Sequence, residues 1–235
     1  MNKISILAVV LVLIGVGSLI VGLAYTPYNV QSYPNYGWHG QSQQWMMGGN
    51  QQGMMGMMAV QGQTIQVDQA IQMMRSTPQY ADVIPSNNTI IFHGSQNIRI
   101  VALAIMPDRA INLTGMKPPG YSTGDVFIIY GLINPTLVVP AGSSVQFTVV
   151  NLDDDMYHNL VVSSIGPPYP YMAMQGMMSS NDWMPFLPAA DYNQGTAHEY
   201  SYSLTLSSPA TLWYLCTYPG HAQMGMYGEI EVVNN

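Results

Sequence analysis

Charge is scarce in this chain. Five Lys or Arg and twelve Asp or Glu make up 7% of 235 residues, with a net charge of −7. An average globular domain carries roughly 25% charged residues. So few basic groups exclude nucleic acid as a partner and anionic lipid as a docking surface, since both are bound through clustered Lys and Arg. A surface poor in titratable groups also predicts tolerance of acid, because protonating the carboxylates would leave few cations to repel one another. A single cysteine, Cys216, excludes an intrachain disulfide, any CxxC or four-cysteine metal site, and any dinuclear centre needing two thiolates. None of the five histidines forms an H-x-H pair, so multicopper catalytic sites are excluded as well.

What is present is apolar: 48% hydrophobic residues, with 19 methionines and 16 tyrosines. After Lys3 comes ISILAVVLVLIGVGSLIVGLAY, residues 4–25, without one charge. At about 1.5 Å per residue it would reach across a bilayer core. The segment 1–25 is expected to be a transmembrane signal anchor. Lys3 would keep the N-terminus cytoplasmic, giving a single-pass cell-membrane protein with everything downstream extracytoplasmic; a cleaved export signal is the other reading. Residues 26–62 lack apolar periodicity and are rich in Gln, Gly and Met, so they read as a flexible linker. Its methionines, Met46, Met47, Met54, Met55, Met57 and Met58, are soft ligands that suit Cu(I), so a copper-binding tether stands beside the plain linker.

From residue 63 the chain reads as one domain, 63–235. VDQAIQMMRS carries apolar residues at 67, 70, 71, 73 and 74, which predicts a short amphipathic helix. Strands are predicted at 89–93, 98–106, 126–132, 136–139, 145–152, 158–164, 199–206, 210–216 and 227–233. Many short strands between Pro- and Gly-containing turns imply an all-β sandwich or barrel. The interval 107–124 reads as a surface loop, and Asn87 and Asn112 head N-x-T sequons.

The chemistry gathers in CTYPGHAQMGM, residues 216–226. Cys216 ends a strand, Pro219 and Gly220 turn the chain, and His221 and Met226 follow, with Met224 at an alternative offset. His158, after the polar turn NLDDDMY, is the best-placed fourth donor. A thiolate, two imidazoles and a weak thioether are the donor set of a type 1 blue-copper site, a geometry that both Cu(II) and Cu(I) accept. Apolar neighbours, Trp213, Tyr214, Leu215 and Tyr227, would favour the less charged Cu(I) state.

NPTLVVPAGSSVQFTVVNLDDDMYHNLVVSSIGPPYPYM together with WYLCTYPGHAQMGMYGEIEVV resembles the rusticyanin branch of the cupredoxins. The shared pattern runs NPTL-x-x-PAG, His, GPPY, then C-x-x-PGHA-x-x-GM-x-G-x-I. The resemblance implies a cupredoxin Greek-key β-sandwich holding one type 1 copper ion. Its ligands would be His158, Cys216 and His221, with Met226 axial and Met224 beside it. It implies a blue-copper protein that carries single electrons between redox partners such as cytochromes or a terminal oxidase, not an enzyme, with exit through the solvent edge of His221. A copper-binding or delivery module using the Met-rich segments is the alternative.

Three departures stand out. Asn159 follows the first histidine where rusticyanin has serine, and its side chain is expected to reach the Cys loop. The interval 108–124 looks inserted, and the anchor and tether replace a simple export signal. Asn159, Met224 and Trp213 are the candidates for the layer around the ligands. His39, His93 and His198 read as non-ligands, and the methionines of 171–178 with Met184 as a pliable cover for the copper end, or as a docking patch.

Overall fold

The computed structural model describes residues 62–94, 97–173 and 184–234. The described residues form two six-stranded mixed sheets packed face to face. β1 (Gln63–Gln66), β10 (Thr196–Leu206), β8 (Ser143–Asn151), β4 (Ile98–Ile105), β5 (Val126–Ile129) and β6 (Leu132–Ile133) form one, in that order. β2 (Ala81–Ile84), β3 (Thr89–Phe92), β7 (Thr136–Pro140), β12 (Tyr227–Val233), β11 (Ala210–Leu215) and β9 (Val161–Ser163) form the other. Most neighbours are antiparallel; β4–β8, β3–β7 and β7–β12 are parallel.

Period-two alternation decides which side chains meet where. Along β8, Val145, Phe147 and Val149 enter the space between the sheets, with Ile100, Ala102 and Phe127 from neighbouring strands and Tyr214 and Ile230 from the facing sheet. The first sheet is also covered on its outer face. Leu103, Ile105, Val126 and Ile128 point there, against Ala70 and Met74 of α1 (Val67–Arg75) and Ala110 of α2 (Pro107–Thr114). That is why β5 is buried at all four positions and reads as an unbroken apolar run.

α2 corrects the expectation of a loop at 107–124. Pro107 sits in the first turn with Asp108, where a missing N–H and a negative charge are both favourable. Gly115 closes the helix at φ +70°. The predicted strand at 158–164 is also shorter, since only Val161–Ser163 belongs to the ladder. β1 and β2 were not foreseen; both are four-residue edge strands without a long apolar run.

The expectation of a single-pass membrane protein is corrected as well. Among the described residues no helix is long and apolar enough to cross a membrane. The nine residues of α1 would span about 14 Å, under half of a bilayer core. The segment 1–25 assigned to the span, residues 26–61 of the linker 26–62 with its methionines, and His39 lie outside the described residues.

Candidate metal centre

Cys216 directly follows β11, on the inward face with Leu212 and Tyr214. The loop after it braces itself with its own backbone. His221 N–H donates to the Tyr218 carbonyl (3.1 Å), Gly225 to Ala222 (3.0 Å), Met226 to His221 (2.9 Å) and Cys216 back to Met226 (3.1 Å). Gly220 and Gly225 adopt φ of +85° and +95°, which lets eleven residues turn back into β12 without strain. The result puts Cys216, His221 and Met226, each 0–1% exposed, at one end of the sandwich.

His158 lies outside the ladder, in a two-residue bridge with Leu187: His158 N–H donates to the Leu187 carbonyl (3.3 Å), and Leu187 N–H returns the bond (2.8 Å). Asn151, at the end of β8, ties both segments together. Its amide nitrogen donates to the carbonyls of Met156 (2.8 Å), Leu187 (3.0 Å) and Pro188 (2.9 Å). This buried amide, which sequence reading passed over inside the predicted strand 145–152, sets where His158 stands.

Three donor atoms converge. Cys216 Sγ lies 3.7 Å from His158 Nδ1 and 3.6 Å from His221 Nδ1, and the two Nδ1 atoms are 3.2 Å apart. A point equidistant from all three lies about 2 Å from each, the length of a metal–imidazole bond. Met226 is fully buried in the same apolar cluster as Cys216. The donor set and its spacing fit one copper ion. Burial pushes the Cys216 thiol up to about 12, so the thiolate that copper needs comes with the metal rather than before it. Burial likewise holds His158 and His221 down to about 3, keeping both imidazoles neutral and able to donate.

Two carboxylates back these imidazoles. Asp153, fully buried, places Oδ2 3.4 Å from His158 Nε2; Asp125 Oδ2 lies 3.9 Å from Nε2 of both His158 and His221. Burial, with Asp153 and Asp155 nearby, raises Asp125 to about 7. Neither acid stood out in the sequence, where NLDDDMYH read as a polar turn; an acid five residues before a candidate ligand, in so charge-poor a chain, was the available signal. Asp125 also changes the expected exit. The His221 side chain is 2% exposed rather than open to solvent, covered by Asp125 and by the Tyr218 ring at 4.7 Å between centroids.

The other singled-out residues fall as follows. Asn159 Oδ1 accepts the Thr217 N–H at 2.9 Å, and its amide nitrogen donates to Thr217 Oγ1 at 2.9 Å, linking the His158 segment to the Cys loop. Met224 is 40% exposed, with its side chain against Gly124. Trp213 alternates to the other face of β11, packing on Gly166 and Tyr227, so it does not touch the centre; Leu215 shares that face. Of the expected apolar neighbours, Tyr214 is the one on the Cys216 side. His93 pairs with Asp82 at 2.8 Å on the surface. His198 is only partly buried on β10, paired in register with Asn151. Met184 is buried, its sulfur 3.4 Å from the Leu160 N–H; the methionines at 174, 177 and 178 lie outside the described residues.

The sequence profile of the copper-binding proteins of the plastocyanin/azurin family matches residues 133–233. Rusticyanin of Acidithiobacillus ferrooxidans is 28% identical over 147 residues, 63% of this chain and 68% of the relative. Rusticyanin of Acidithiobacillus ferridurans matches equally over the same extent. Among solved structures, reduced rusticyanin determined by NMR superposes with a TM-score of 0.54 at 25% identity, over 74% of this chain and 98% of that one. Rusticyanin from Thiobacillus ferrooxidans gives 0.54 at 23% identity, over 73% and 96%. Cupredoxins are blue-copper electron carriers as a family. The donor set, the two-sheet frame and these relatives agree: the chain is similar to rusticyanin and the copper-binding cupredoxins, and its site fits one copper ion.

Proposed function

We propose that this chain carries single electrons between protein redox partners, a cytochrome or a terminal oxidase being the class of partner that fits, and transforms no substrate. The observation that carries the reading is the convergence of two imidazole nitrogens and one thiol sulfur at 3.2–3.7 Å in a buried pocket. Bound copper supplies the one-electron couple. The chain's own residues do the rest. His158, Cys216 and His221 would hold the metal as its strong donors, with the Met226 thioether as a weaker one. Their positions are set by two strands, a self-braced loop and the Asn151 and Asn159 bridges, so little has to move between oxidation states.

Burial excludes water and small oxidants from the centre. With the His221 edge covered, the short way out runs across the Tyr218 ring, which is half-buried beside it.

The test is an optical and redox titration of the metal-free chain with Cu(II). One equivalent should produce an intense visible band from thiolate-to-copper charge transfer, bleached and restored reversibly by one electron. A colourless protein that takes up only Cu(I) would overturn the reading in favour of copper delivery.

A further inference from the structure

We infer that Asp153, assisted by Asp125, is a positioning residue for the copper imidazoles, accepting the Nε2–H of His158 and weighting the centre toward its oxidised state. The inference rests on the copper reading above.

With Nδ1 of His158 turned toward Cys216 and His221, a neutral ring directs its N–H from Nε2. That nitrogen is completely buried and has no hydrogen-bond partner, and neither has Asp153 Oδ2, the buried carboxylate oxygen that faces it. The two orphans face each other at 3.4 Å. Leaving both unpaired would cost about 1–3 kcal/mol each or more.

The carboxylate is held in place independently of the histidine. Asp153 Oδ1 accepts the backbone N–H groups of Asp155 (3.0 Å) and Met156 (3.2 Å), and its own N–H donates to Asn151 Oδ1 (2.9 Å). One oxygen fastens the turn and the other is presented to the imidazole. Asp125 Oδ2, equidistant at 3.9 Å from Nε2 of both histidines, extends the arrangement to His221. A carboxylate on the far nitrogen fixes ring orientation and makes the ligand more basic, and removing such a partner typically lowers metal affinity 10–100-fold. Negative charge behind the His158 ring favours Cu(II) over Cu(I).

The test uses the full chain and Asp153→Asn, which keeps an oxygen for the turn but turns an amide N–H₂ toward His158. In the wild type, ¹⁵N NMR of the metal-free protein should show His158 as the Nε2–H tautomer with a slowly exchanging proton, and the variant should lose that protection. After copper loading, the variant should shift the Cu(I)/Cu(II) ratio about tenfold toward Cu(I), about 59 mV upward for one electron. Asp154→Asn, an exposed acid paired with Arg109, is the charge control and should shift it far less. Should Asp153→Asn fail to fold, Asp125→Asn should show an upward shift above pH 7, where Asp125 is charged.

Equal shifts for Asp153→Asn and Asp154→Asn, or an Nδ1–H tautomer in the metal-free wild type, would overturn the inference. So would uptake of a second equivalent of Zn(II) that depends on Asp153, since the acids would then be ligands. A wild type that never turns blue would sink the copper reading, while the NMR arm still decides the placement of Asp153.

Discussion

The loop 216–226 and the segment 121–125 meet at the same end of the sandwich, and they are held by opposite means. The ligand loop is braced by bonds among its own residues, none spanning more than ten positions. The other segment has no such scaffold and is fastened to the ligand loop. Thr123 and Gly124 N–H groups share the Met224 carbonyl at 2.7 and 3.3 Å. Ser122 Oγ donates to the Gly225 carbonyl at 2.8 Å, and Tyr121 stacks on Tyr227 at 4.7 Å. Asn134, nearly buried, joins the two by donating to Ser122 Oγ (2.8 Å) and the Gly225 carbonyl (2.9 Å). Local bonds place Cys216, His221 and Met226; long-range bonds place His158 and bring Asp125 over the donors.

The sharpest break on the local side is Cys216→Ser. A hydroxyl cannot replace the thiolate, so the visible band should vanish entirely while the apolar sandwich still folds; a retained blue band would refute the donor assignment. On the long-range side the strongest break is Asn134→Ala. It removes both donors and also the Oδ1 that accepts the Phe127 N–H at 2.8 Å. A loss of about 2–4 kcal/mol is expected from buried partners left unpaired, read as the fall in urea midpoint at constant m-value. Because the clamp and not the ligand loop is cut, the metal-free variant should still gain colour with copper.

This contrast explains what the sequence could disclose. The donors at 216, 221 and 226 sit in one short motif whose spacing reads directly, and the apolar alternation of β8 or β12 reads as directly. The helix at 107–114 was hidden because a Pro, an Asp and a Gly look like loop residues until their positions at its two ends are known. Asp125 and Asp153 act across 33 and five positions from His158, and only the docking of separate segments brings them together. Trp213 was misjudged for a simpler reason: one step along a strand reverses the face.

Acid should separate the two sides further. His158 and His221 are depressed from an ordinary 6.5 to about 3 by burial. Between those values the unfolded chain binds more protons than the folded one, so metal-free stability is full above pH 6.5 and falls as the pH drops toward 3. Asp125, raised from 3.8 to about 7, has the opposite sign: its contribution is full below 3.8 and is lost as the pH rises through 7. Asp155, raised to about 6 beside Asp153, acts in the same sense as Asp125, but the two imidazoles are displaced further and leave a net fall on acidification. Urea midpoints of the metal-free protein should decline from pH 6.5 to pH 3.5, and a flat or rising series would show the imidazoles to be less sheltered than their burial implies. Asp125→Asn should steepen the decline.

The last pair of substitutions separates the two methionines of the loop. Met226 is wholly buried beside Cys216, whereas Met224 is 40% exposed and lends the clamp its backbone carbonyl rather than its sulfur. Met226→Leu keeps the volume but replaces a polarizable donor beside the metal with a wholly apolar group, which disfavours the more highly charged Cu(II) ion. Copper should be retained and the Cu(I)/Cu(II) ratio should rise about tenfold, roughly 59 mV. Met224→Leu should leave the potential in place and alter stability by no more than about 0.5 kcal/mol, as an exposed side chain against Gly124. If the two variants shifted the potential equally, the thioether at 224 would have to reach the metal. The loop would then have to unwind the Met226–His221 and Cys216–Met226 backbone bonds that close it, and those amide protons would lose their protection from exchange.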